Sequence, residues 1–412
     1  MISKPIPYGH QHITDEDVNA VIEALKSDYM TQGPRIGEFE KQFAEYLGCK
    51  YACMVSNGTA ALHLCAMALD IKPGDKIITP PITFVASANG FRYQGAEVVF
   101  CDIDPKTFLL DLDKLEQILK ASPKGTYKAV VPVDFAGYPI DEERMRKLAD
   151  EYGFAVVVDA CHAPGGSFID SKGEKQMVGN CKYADLTVFS FHPVKHIATG
   201  EGGAVTTNRK DLYDKVALFR THGITKDPAL LQKNDGGWYY EMQELGYNYR
   251  ITEMQAALGM TQLKRLDWSI QRRNEIARKY DEAFKGTAVK TPFRAENVVH
   301  AFHLYIIQMA PEKRKGLYDH LRANKIFSQI LYIPAHTKVL DATGLARVDF
   351  FIDKDTKAVY LNEINTMPGF TSISMFPKMC EAAGLEFKAL VKLLLDEAIE
   401  KYKSKQALVT SR

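Results

Sequence analysis

The sequence predicts an α/β protein in which helices cover both faces of a mostly parallel β-sheet. Short apolar runs of strand length alternate along the chain with longer runs of helical period. The strand-like runs are Lys76–Thr79, Ala96–Cys101, Lys128–Val133, Phe154–Val158, Ala184–Phe191 and Gly203–Thr207. Helix-like runs between them include Thr83–Tyr93 and Asp141–Tyr152. The alternation indicates a parallel sheet, because neighbouring parallel strands need a crossover connection that is usually a helix.

Helices are also predicted on either side of this central region. Thr14–Lys26 opens with a capping threonine followed by acidic residues, and Gly37–Tyr46 repeats the helical spacing of apolar residues. A third helix opens at the apolar run Leu62–Leu69. Trp268–Phe284 reads as a long helix that leads into a second domain.

The pattern changes after about Pro334. Ala346–Ile352 and Ala358–Leu361 read as two paired strands, and Met375–Ala383 and Phe387–Tyr402 read as helices. Residues 404–412 are predicted to be a frayed tail. The sequence therefore predicts an α+β segment at the C-terminus that differs in organisation from the preceding chain.

Composition places the chain among soluble globular proteins. It has 412 residues, of which 46% are hydrophobic, and 52 basic residues nearly balance 51 acidic ones. This balance offers no broad electrostatic surface for nucleic acid or an anionic membrane. The seven cysteines are an odd number with no metal-type spacing, and we expect reduced thiols in a cytoplasmic protein. Neither a signal peptide nor a membrane-spanning run is predicted.

A turn that opens a helix is the first candidate for chemistry. Ser56-Asn57-Gly58-Thr59 precedes an apolar helical run. The exposed N–H groups and the dipole at such a helix end attract anions, and Gly58 lets the backbone approach a ligand closely. Taken alone, the motif is more often a plain N-cap turn.

Two further candidates follow apolar strands, where ligands of open α/β sheets bind. Asp159 ends the run Val156-Val157-Val158, and its carboxylate could hold a protonated pyridine nitrogen or simply cap a turn. Lys195 lies in a turn between two strands, beside Gly202 and Gly203. A Schiff-base lysine needs a lowered pKa, whereas most lysines are solvated.

In order and setting, these motifs resemble the DegT-type sugar aminotransferases over residues 6–334. The matching stretches are Ser56–His63, Thr83-Phe84, Asp102–Asp104, Asp134–Gly137, Asp159–Ala163, Ser190–Lys195, His222-Gly223 and Leu245–Arg250. The resemblance implies the aspartate-aminotransferase fold (type I of the pyridoxal-phosphate enzymes), with a large domain over 1–266 and a truncated small domain over 267–337. Phe191–Lys195 and Glu244–Arg250 look most like the pseudaminic-acid branch of the family.

Residue by residue, the resemblance implies a pyridoxal 5'-phosphate site. Lys195 would form the Schiff base, and Asp159 would pair with the pyridine nitrogen. Phe84 would stack on the ring, and His162 would lie near the ring face or its 3-oxygen, where many relatives have glutamine. Lys195, Asp159 and His162 would be the catalytic residues.

The remaining contacts implied by the resemblance concern the phosphate and the substrate. Gly58, Thr59 and Ser190 would hold the cofactor phosphate, and Asn248 would reach the phosphate of the neighbouring subunit, which implies a homodimer with shared sites. Arg250 is either a contact for a substrate anion or a member of a structural ion pair. The implied substrates are a UDP-linked 4-keto-6-deoxy amino sugar and glutamate, the amino donor.

Residues 343–402 resemble a different family, the C-terminal end of the D-alanine–D-alanine ligases. The stretches that match are Gly344–Phe351 and Tyr360–Ser372. The segment 338–412 is therefore expected to be ATP-grasp-like, and the junction is predicted near Tyr332–Lys338. Asp349, Glu363 and Asn365 match magnesium ligands of the ligases, and such oxygen ligands suit Mg²⁺. Because the other parts of an ATP-grasp enzyme are missing, this site is expected to be vestigial.

Three functions are weighed on this basis. The first is a sugar aminotransferase of nucleotide-sugar and pseudaminic acid biosynthesis. The second is a non-catalytic protein that binds pyridoxal phosphate, which the altered C-terminus favours and the Lys195 and Asp159 motifs oppose. The third is a ligase-type activity that depends on ATP and magnesium, for which only the C-terminal segment argues.

Overall fold

A computed structural model describes residues 4–332 and 334–335, together with the backbone of two strands, 347–352 and 359–365. The chain divides into two units, Met1–Ala335 and His336–Arg412. The domain boundaries predicted at 266/267 and 337/338 stay predictions. The predicted helices Met375–Ala383 and Phe387–Tyr402 and the tail lie outside the described residues.

Ten α-helices are found in the described part of the first unit. They are α1 (Asp15–Leu25), α2 (Pro34–Leu47), α3 (Gly58–Ala68), α4 (Ala86–Arg92), α5 (Leu112–Lys120), α6 (Glu142–Tyr152), α7 (Lys210–Arg220), α8 (Glu253–Lys264), α9 (Leu266–Phe284) and α10 (Pro311–Ala323). A short 3-10 turn, Phe135–Gly137, lies between residues 127–130, which form a strand, and α6.

The described strands of this unit form one large sheet and two small ones. They are β1 (Tyr51–Val55), β2 (Lys76–Thr79), β3 (Glu97–Phe100), β4 (Tyr127–Val130), β5 (Ala155–Asp159), β6 (Ser167–Ile169), β7 (Lys175–Met177), β8 (Leu186–Ser190), β9 (Gly203–Thr207), β10 (Ile224–Thr225), β11 (Glu241–Met242) and β12 (Val298–Val299). The large sheet has the order β1-β9-β8-β5-β4-β2-β3, and the small ones are β12-β6-β7 and β10-β11. In the large sheet, β9 runs antiparallel to both neighbours and every other pair is parallel. The predicted mixed, mostly parallel sheet is therefore confirmed.

The sheet is buried on both faces, so its strands contribute to two separate cores. Successive side chains of a strand point to opposite faces. Met54, Val156 and Phe189 pack with residues of α2, α5 and α6 in one core. Val157 and Val188 pack with α3, α4 and α7 in the other. Each fully buried Val, Leu or Phe side chain contributes about 1.5–3 kcal/mol to stability.

The ends of α1 and α2 are fixed by side chains that satisfy free backbone N–H groups. Thr14 caps the start of α1, as the sequence predicts, and it forms a reciprocal capping box with Asp17. The buried carboxylate of Glu253 accepts hydrogen bonds from the backbone N–H groups of Gly33, Arg35 and Ile36, at 3.0, 3.0 and 3.3 Å. It thereby caps α2 from a residue more than two hundred positions away, which local sequence cannot indicate.

The strand prediction succeeds where an apolar run is bounded by turn residues. β2 and β9 have the predicted bounds, and β3, β5 and β8 differ only at their ends. β4 ends at Val130, before Pro132, which lacks the N–H that a further ladder bond requires. β1 is absent from the prediction, although it is as continuously buried as β5, β8 and β9. The helices α5, α7, α8 and α10 and the short strands β6, β7 and β10–β12 are also absent from it.

The described part of the second unit is an antiparallel pair, β13 (Arg347–Ile352) and β14 (Val359–Asn365). The two predicted strands are therefore confirmed, although the second one extends beyond Leu361. The backbone register sets Asp349 opposite Glu363 and Arg347 opposite Asn365. The side chains of the predicted magnesium ligands lie outside the described residues, and the ligase-like fold of this segment stays a prediction.

Candidate active site

A cavity of about 970 Å³ lies at the carboxyl ends of the parallel strands. Its walls come from the segments that follow β1, β2, β4, β5 and β8, where open α/β sheets bind ligands. The lining includes Asn57, Gly58, Thr59, His63, Thr83, Phe84, Tyr93, Val133, Asp159, Cys161, His162, Ser190, Lys195, Tyr247, Tyr249, His303 and Tyr332. The fold thus brings together residues that the sequence separates by more than a hundred positions.

One wall of the cavity is the N-terminus of α3. Asn57 caps this helix through its Oδ1 atom, which accepts a hydrogen bond of 2.8 Å from the Ala60 N–H. A helix start leaves its first N–H groups without intrahelical partners, so Gly58 and Thr59 present donors for an anion. A Cβ atom at Gly58 would lie 3.1 Å from Ser190 Cβ and 3.2 Å from Cys161 Sγ. Only glycine keeps this corner open, which fits a phosphate group.

Asp159 ends β5 and is only 5% exposed. Its Oδ2 atom accepts a hydrogen bond of 2.6 Å from the Ser87 hydroxyl. Its Oδ1 atom accepts a longer one, 3.2 Å, from the Cys161 N–H. A buried carboxylate held in this way on the cavity wall suits a protonated ring nitrogen.

Lys195 lies in the turn that joins β8 to β9. Its backbone N–H donates to the His192 carbonyl at 2.8 Å. The turn closes tightly, because a Cβ at Gly202 would lie 2.3 Å from the Thr199 hydroxyl oxygen. Burial lowers the pKa of the Lys195 amine, and the opposing influence of Cys161 and Asp159 is smaller. At neutral pH, this amine is therefore more readily deprotonated than a solvated lysine.

His162 is a buried, neutral imidazole whose tautomer is set by the backbone. Burial, and then electrostatic interaction with Lys195 and His196, hold its pKa well below the usual range. The Ala136 N–H donates to His162 Nδ1 at 3.3 Å. The proton must therefore be on Nε2, which lies 3.4 Å from the Tyr332 hydroxyl oxygen. His162 thus offers one N–H donor on the cavity side.

The structure places the remaining predicted site residues in two groups. Phe84 lines the cavity and is 56% exposed, so its ring is available to a ligand. Asn248 and Arg250 are not among the residues that line the cavity. Asn248 lies between Tyr247 and Tyr249, which do line it, and is itself exposed. Within residues 4–332 and 334–335, no ion pair is found for Arg250.

Several lining residues were missed by the sequence analysis. The His303 ring packs at a tilt against His162 with ring centroids 4.3 Å apart, and the Tyr332 ring lies parallel to His162 at 6.3 Å. Tyr8 reaches the cavity from the N-terminal segment. Ser87 was also missed, although it lies four residues after Thr83 in a stretch that the sequence singled out. Tyr8, His303 and Tyr332 belong to distant or irregular segments, so no periodic pattern marks them.

The side chains on the cavity wall fit pyridoxal phosphate. The glycine corner at the start of α3 suits the phosphate, the buried carboxylate of Asp159 suits the ring nitrogen, and the amine of Lys195 suits the aldehyde carbon. Among the described side chains, no group of three or more His, Cys, Asp or Glu residues could hold a metal ion. The described helices include none that is long and apolar enough to span a membrane.

Comparison with known proteins points to the same chemistry. A model of the DegT/DnrJ/EryC1/StrS aminotransferase family matches residues 11–350. The UDP-4-amino-4,6-dideoxy-N-acetyl-beta-L-altrosamine transaminase of Campylobacter jejuni is 37% identical over 370 residues, which are 87% of this chain and 93% of the relative.

Two solved structures share the fold. PseC of Helicobacter pylori, an aminotransferase involved in the biosynthesis of pseudoaminic acid, is 33% identical with a TM-score of 0.73, covering 82% of this chain and 87% of its own. Spr1654 of Streptococcus pneumoniae, named as a sugar aminotransferase and solved in a PLP form, is 29% identical with a TM-score of 0.73, covering 82% of this chain and 87% of its own.

A second family model, described as the D-ala D-ala ligase C-terminus, matches residues 311–396. The match bears out the resemblance seen in the sequence, but it begins earlier than residue 343. It overlaps the aminotransferase match between 311 and 350. The predicted junction, Tyr332–Lys338, lies inside this overlap.

Proposed function

This chain belongs to the DegT/DnrJ/EryC1/StrS aminotransferase family, and on that premise we propose that it transfers the amino group of glutamate to a UDP-linked 4-keto-6-deoxy amino sugar. The observation that carries the proposal is the meeting of Lys195, Asp159 and the α3 N-terminus on the wall of one cavity. The named activity of the Campylobacter relative supports the choice of sugar. The pathway would be that of pseudaminic acid or a related nucleotide sugar.

The proposed roles follow from the charges and contacts of the side chains. Bound pyridoxal phosphate supplies an electron sink for the carbon that loses its proton. Asp159 Oδ1 would hold the proton on the ring nitrogen, and the His162 Nε2–H would donate a hydrogen bond to an oxygen of the ring. Burial lowers the pKa of the Lys195 amine. Its Nζ atom would accept the proton from the α-carbon of glutamate and return it to the cofactor carbon that carries the transferred nitrogen.

The size of the cavity supports a large substrate. Small-molecule sites usually occupy about 300–1,000 Å³, and this cavity lies at the upper end of that range. Beyond the glycine corner, its wall carries the stacked rings of Tyr247 and Tyr249, 5.1 Å apart, and the His63 ring. We infer that there is room for a sugar beside the cofactor.

A direct assay tests the proposed reaction. Purified protein is incubated with pyridoxal phosphate, glutamate and a set of UDP-linked 4-keto-6-deoxy sugars, and the products are followed by mass spectrometry. We expect one equivalent of 2-oxoglutarate for each aminated sugar. Cofactor binding without amination of any keto sugar would favour the non-catalytic alternative. ATP consumption with D-alanine, which we do not expect, would favour the ligase alternative.

We also propose that the active enzyme is a homodimer with shared sites. Asn248 is exposed, and in an extended segment its side chain points away from the face that carries Tyr247 and Tyr249. The nearby segment leaves Trp238 and Leu245 exposed by 75% and 73%. Such apolar exposure is typical of a surface that another chain covers. Asn248 would therefore serve the site of the neighbouring subunit.

Mixing two inactive variants tests the shared site. Lys195→Ala and Asn248→Ala are each expected to lose activity, and the mixture should regain it after subunit exchange. In a mixed dimer, one site combines the intact Lys195 of one chain with the intact Asn248 of the other. If Asn248 acted within its own chain, both sites would stay defective. Co-purification of differently tagged subunits controls for exchange itself.

A further inference from the structure

The structure shows a chain of buried hydroxyl groups behind Asp159. Thr83 and Ser87 are 1% and 0% exposed, and their hydroxyl oxygens are 2.7 Å apart. Ser87 Oγ lies 2.6 Å from Asp159 Oδ2. This series of hydrogen bonds therefore ends on the Asp159 carboxylate, which faces the candidate cofactor site.

The direction of these hydrogen bonds follows from the chemistry of the groups. An ionised carboxylate can only accept, so the Ser87 hydroxyl must donate its one proton to Asp159. Because the Ser87 proton is used in that bond, the Thr83 hydroxyl must be the donor in the hydrogen bond between Thr83 and Ser87 Oγ. Each hydrogen bond polarises the next, so the two bonds together stabilise negative charge on Asp159.

The local backbone explains why these two hydroxyls reach the same carboxylate. Residues 83 and 87 are four positions apart in the turn that leads into α4, and such residues share one face of a helical turn. The backbone Ser87 N–H donates to the Phe84 carbonyl at 3.2 Å, which forms this turn. Phe84, at the next position, also lines the cavity, and its ring is exposed.

We propose that Ser87, supported by Thr83, is a positioning residue that fixes the Asp159 carboxylate and turns its Oδ1 atom toward the ring nitrogen of the cofactor. The inference rests on the proposed function, because it assumes that Asp159 meets the cofactor there. Ser87 engages Oδ2 on the protein side and leaves Oδ1 with the weaker bond from the Cys161 N–H. The same turn places Phe84, so the stacking ring and the carboxylate are held by one short segment.

The inference makes a prediction about the proton on the ring nitrogen. Without the Ser87 hydroxyl, the Asp159 carboxylate is less stabilised and becomes a stronger base, so it draws that proton away from the ring. The ring then becomes a weaker electron sink. We expect Ser87→Ala to slow the glutamate half-reaction by about tenfold or more, the usual scale for a hydrogen bond to a charged group. The effect should fall on kcat, with little change in KM for glutamate.

The decisive readout does not depend on turnover. Protein loaded with ¹⁵N-labelled pyridoxal phosphate is studied by NMR, because the nitrogen shift reports protonation of the ring. We expect Ser87→Ala to move this shift toward the unprotonated value, Ser87→Cys to move it less, and Thr83→Val to move it slightly in the same direction. Ser167→Ala is the matched control, since Ser167 is a buried serine in β6 that does not line the cavity.

The outcomes separate the inference from the proposed function. If wild-type protein gives no cofactor spectrum, the proposed function fails. If wild-type protein binds the cofactor and Ser87→Ala shows an unchanged nitrogen shift and kcat, only the inference is overturned, and a loss of thermal stability alone would mark Ser87 as structural. Should Ser87→Ala fail to fold, Ser87→Cys and Thr83→Val decide the question, because both keep the side-chain volume nearly constant.

Discussion

Alanine in place of Lys195 is expected to abolish the visible absorbance that bound pyridoxal phosphate gives in the wild-type protein and to stop transamination. The amine is the group proposed both to bind the cofactor and to move the proton, and neither role can pass to a methyl group. Loss of a positioned acid–base group alone costs on the order of 10²–10⁴-fold in rate. Because Lys195→Ala also removes the group that binds the cofactor, we expect its loss in rate to reach or exceed the upper end of that range. The measurement is an absorbance spectrum with glutamate titrated in.

The visible absorbance of wild-type protein loaded with pyridoxal phosphate should bleach as glutamate is added, because glutamate is the proposed amino donor. Lys182→Ala provides a control, since Lys182 is partly buried and paired with Asp170 and Glu174 outside the cavity. It should keep both the spectrum and the response to glutamate. An absorbance band that survives in Lys195→Ala and still bleaches would refute the proposed role of Lys195.

Asparagine in place of Asp159 is expected to have the second largest effect. The substitution keeps the shape of the side chain and removes its charge, so the proton on the ring nitrogen loses its counterion. Removing one preorganised electrostatic contact in an active site commonly costs about 10²–10³-fold in kcat. We therefore expect a loss of at least this size in the glutamate half-reaction, together with weaker binding of pyridoxal phosphate, measured by titration.

Asp170→Asn is the matched control for this substitution. Asp170 is also a buried carboxylate, held by Lys182, Tyr183 and Gln176, but it does not line the cavity. Its loss should lower thermal stability and leave the cofactor spectrum unchanged. If Asp159→Asn and Asp170→Asn behaved alike, with reduced stability and normal turnover, Asp159 would be a structural residue.

The C-terminal part of the chain sets this protein apart from a simple family member. Residues 311–350 fall within both family matches, and α10 lies in that overlap. The antiparallel pair β13–β14 is the described part of the ligase-like segment, and its register sets Asp349 opposite Glu363. A magnesium site formed by Asp349, Glu363 and Asn365 remains a prediction.

The sequence by itself determined most strands of the large sheet and their mostly parallel arrangement, and it singled out Asp159 and Lys195, where the chemistry is proposed. β2 and β9 could be read with their bounds because buried strands are short apolar runs between turn residues. Asp159 could be singled out because it directly follows such a run, and Lys195 because it lies in the turn between two of them. Parallel strands then bring these positions to one edge of the sheet, whatever the conformation of the intervening loops.

Only the tertiary structure decided what surrounds those positions. The Ser87 hydroxyl on Asp159, the Ala136 N–H that sets the tautomer of His162 and the carboxylate of Glu253 at the start of α2 join segments that are far apart in sequence. Hydrogen bonds of this kind depend on distances and directions between elements. The spacing of residues along one helix or strand cannot predict these hydrogen bonds, because local periodicity determines only which face of that element is buried.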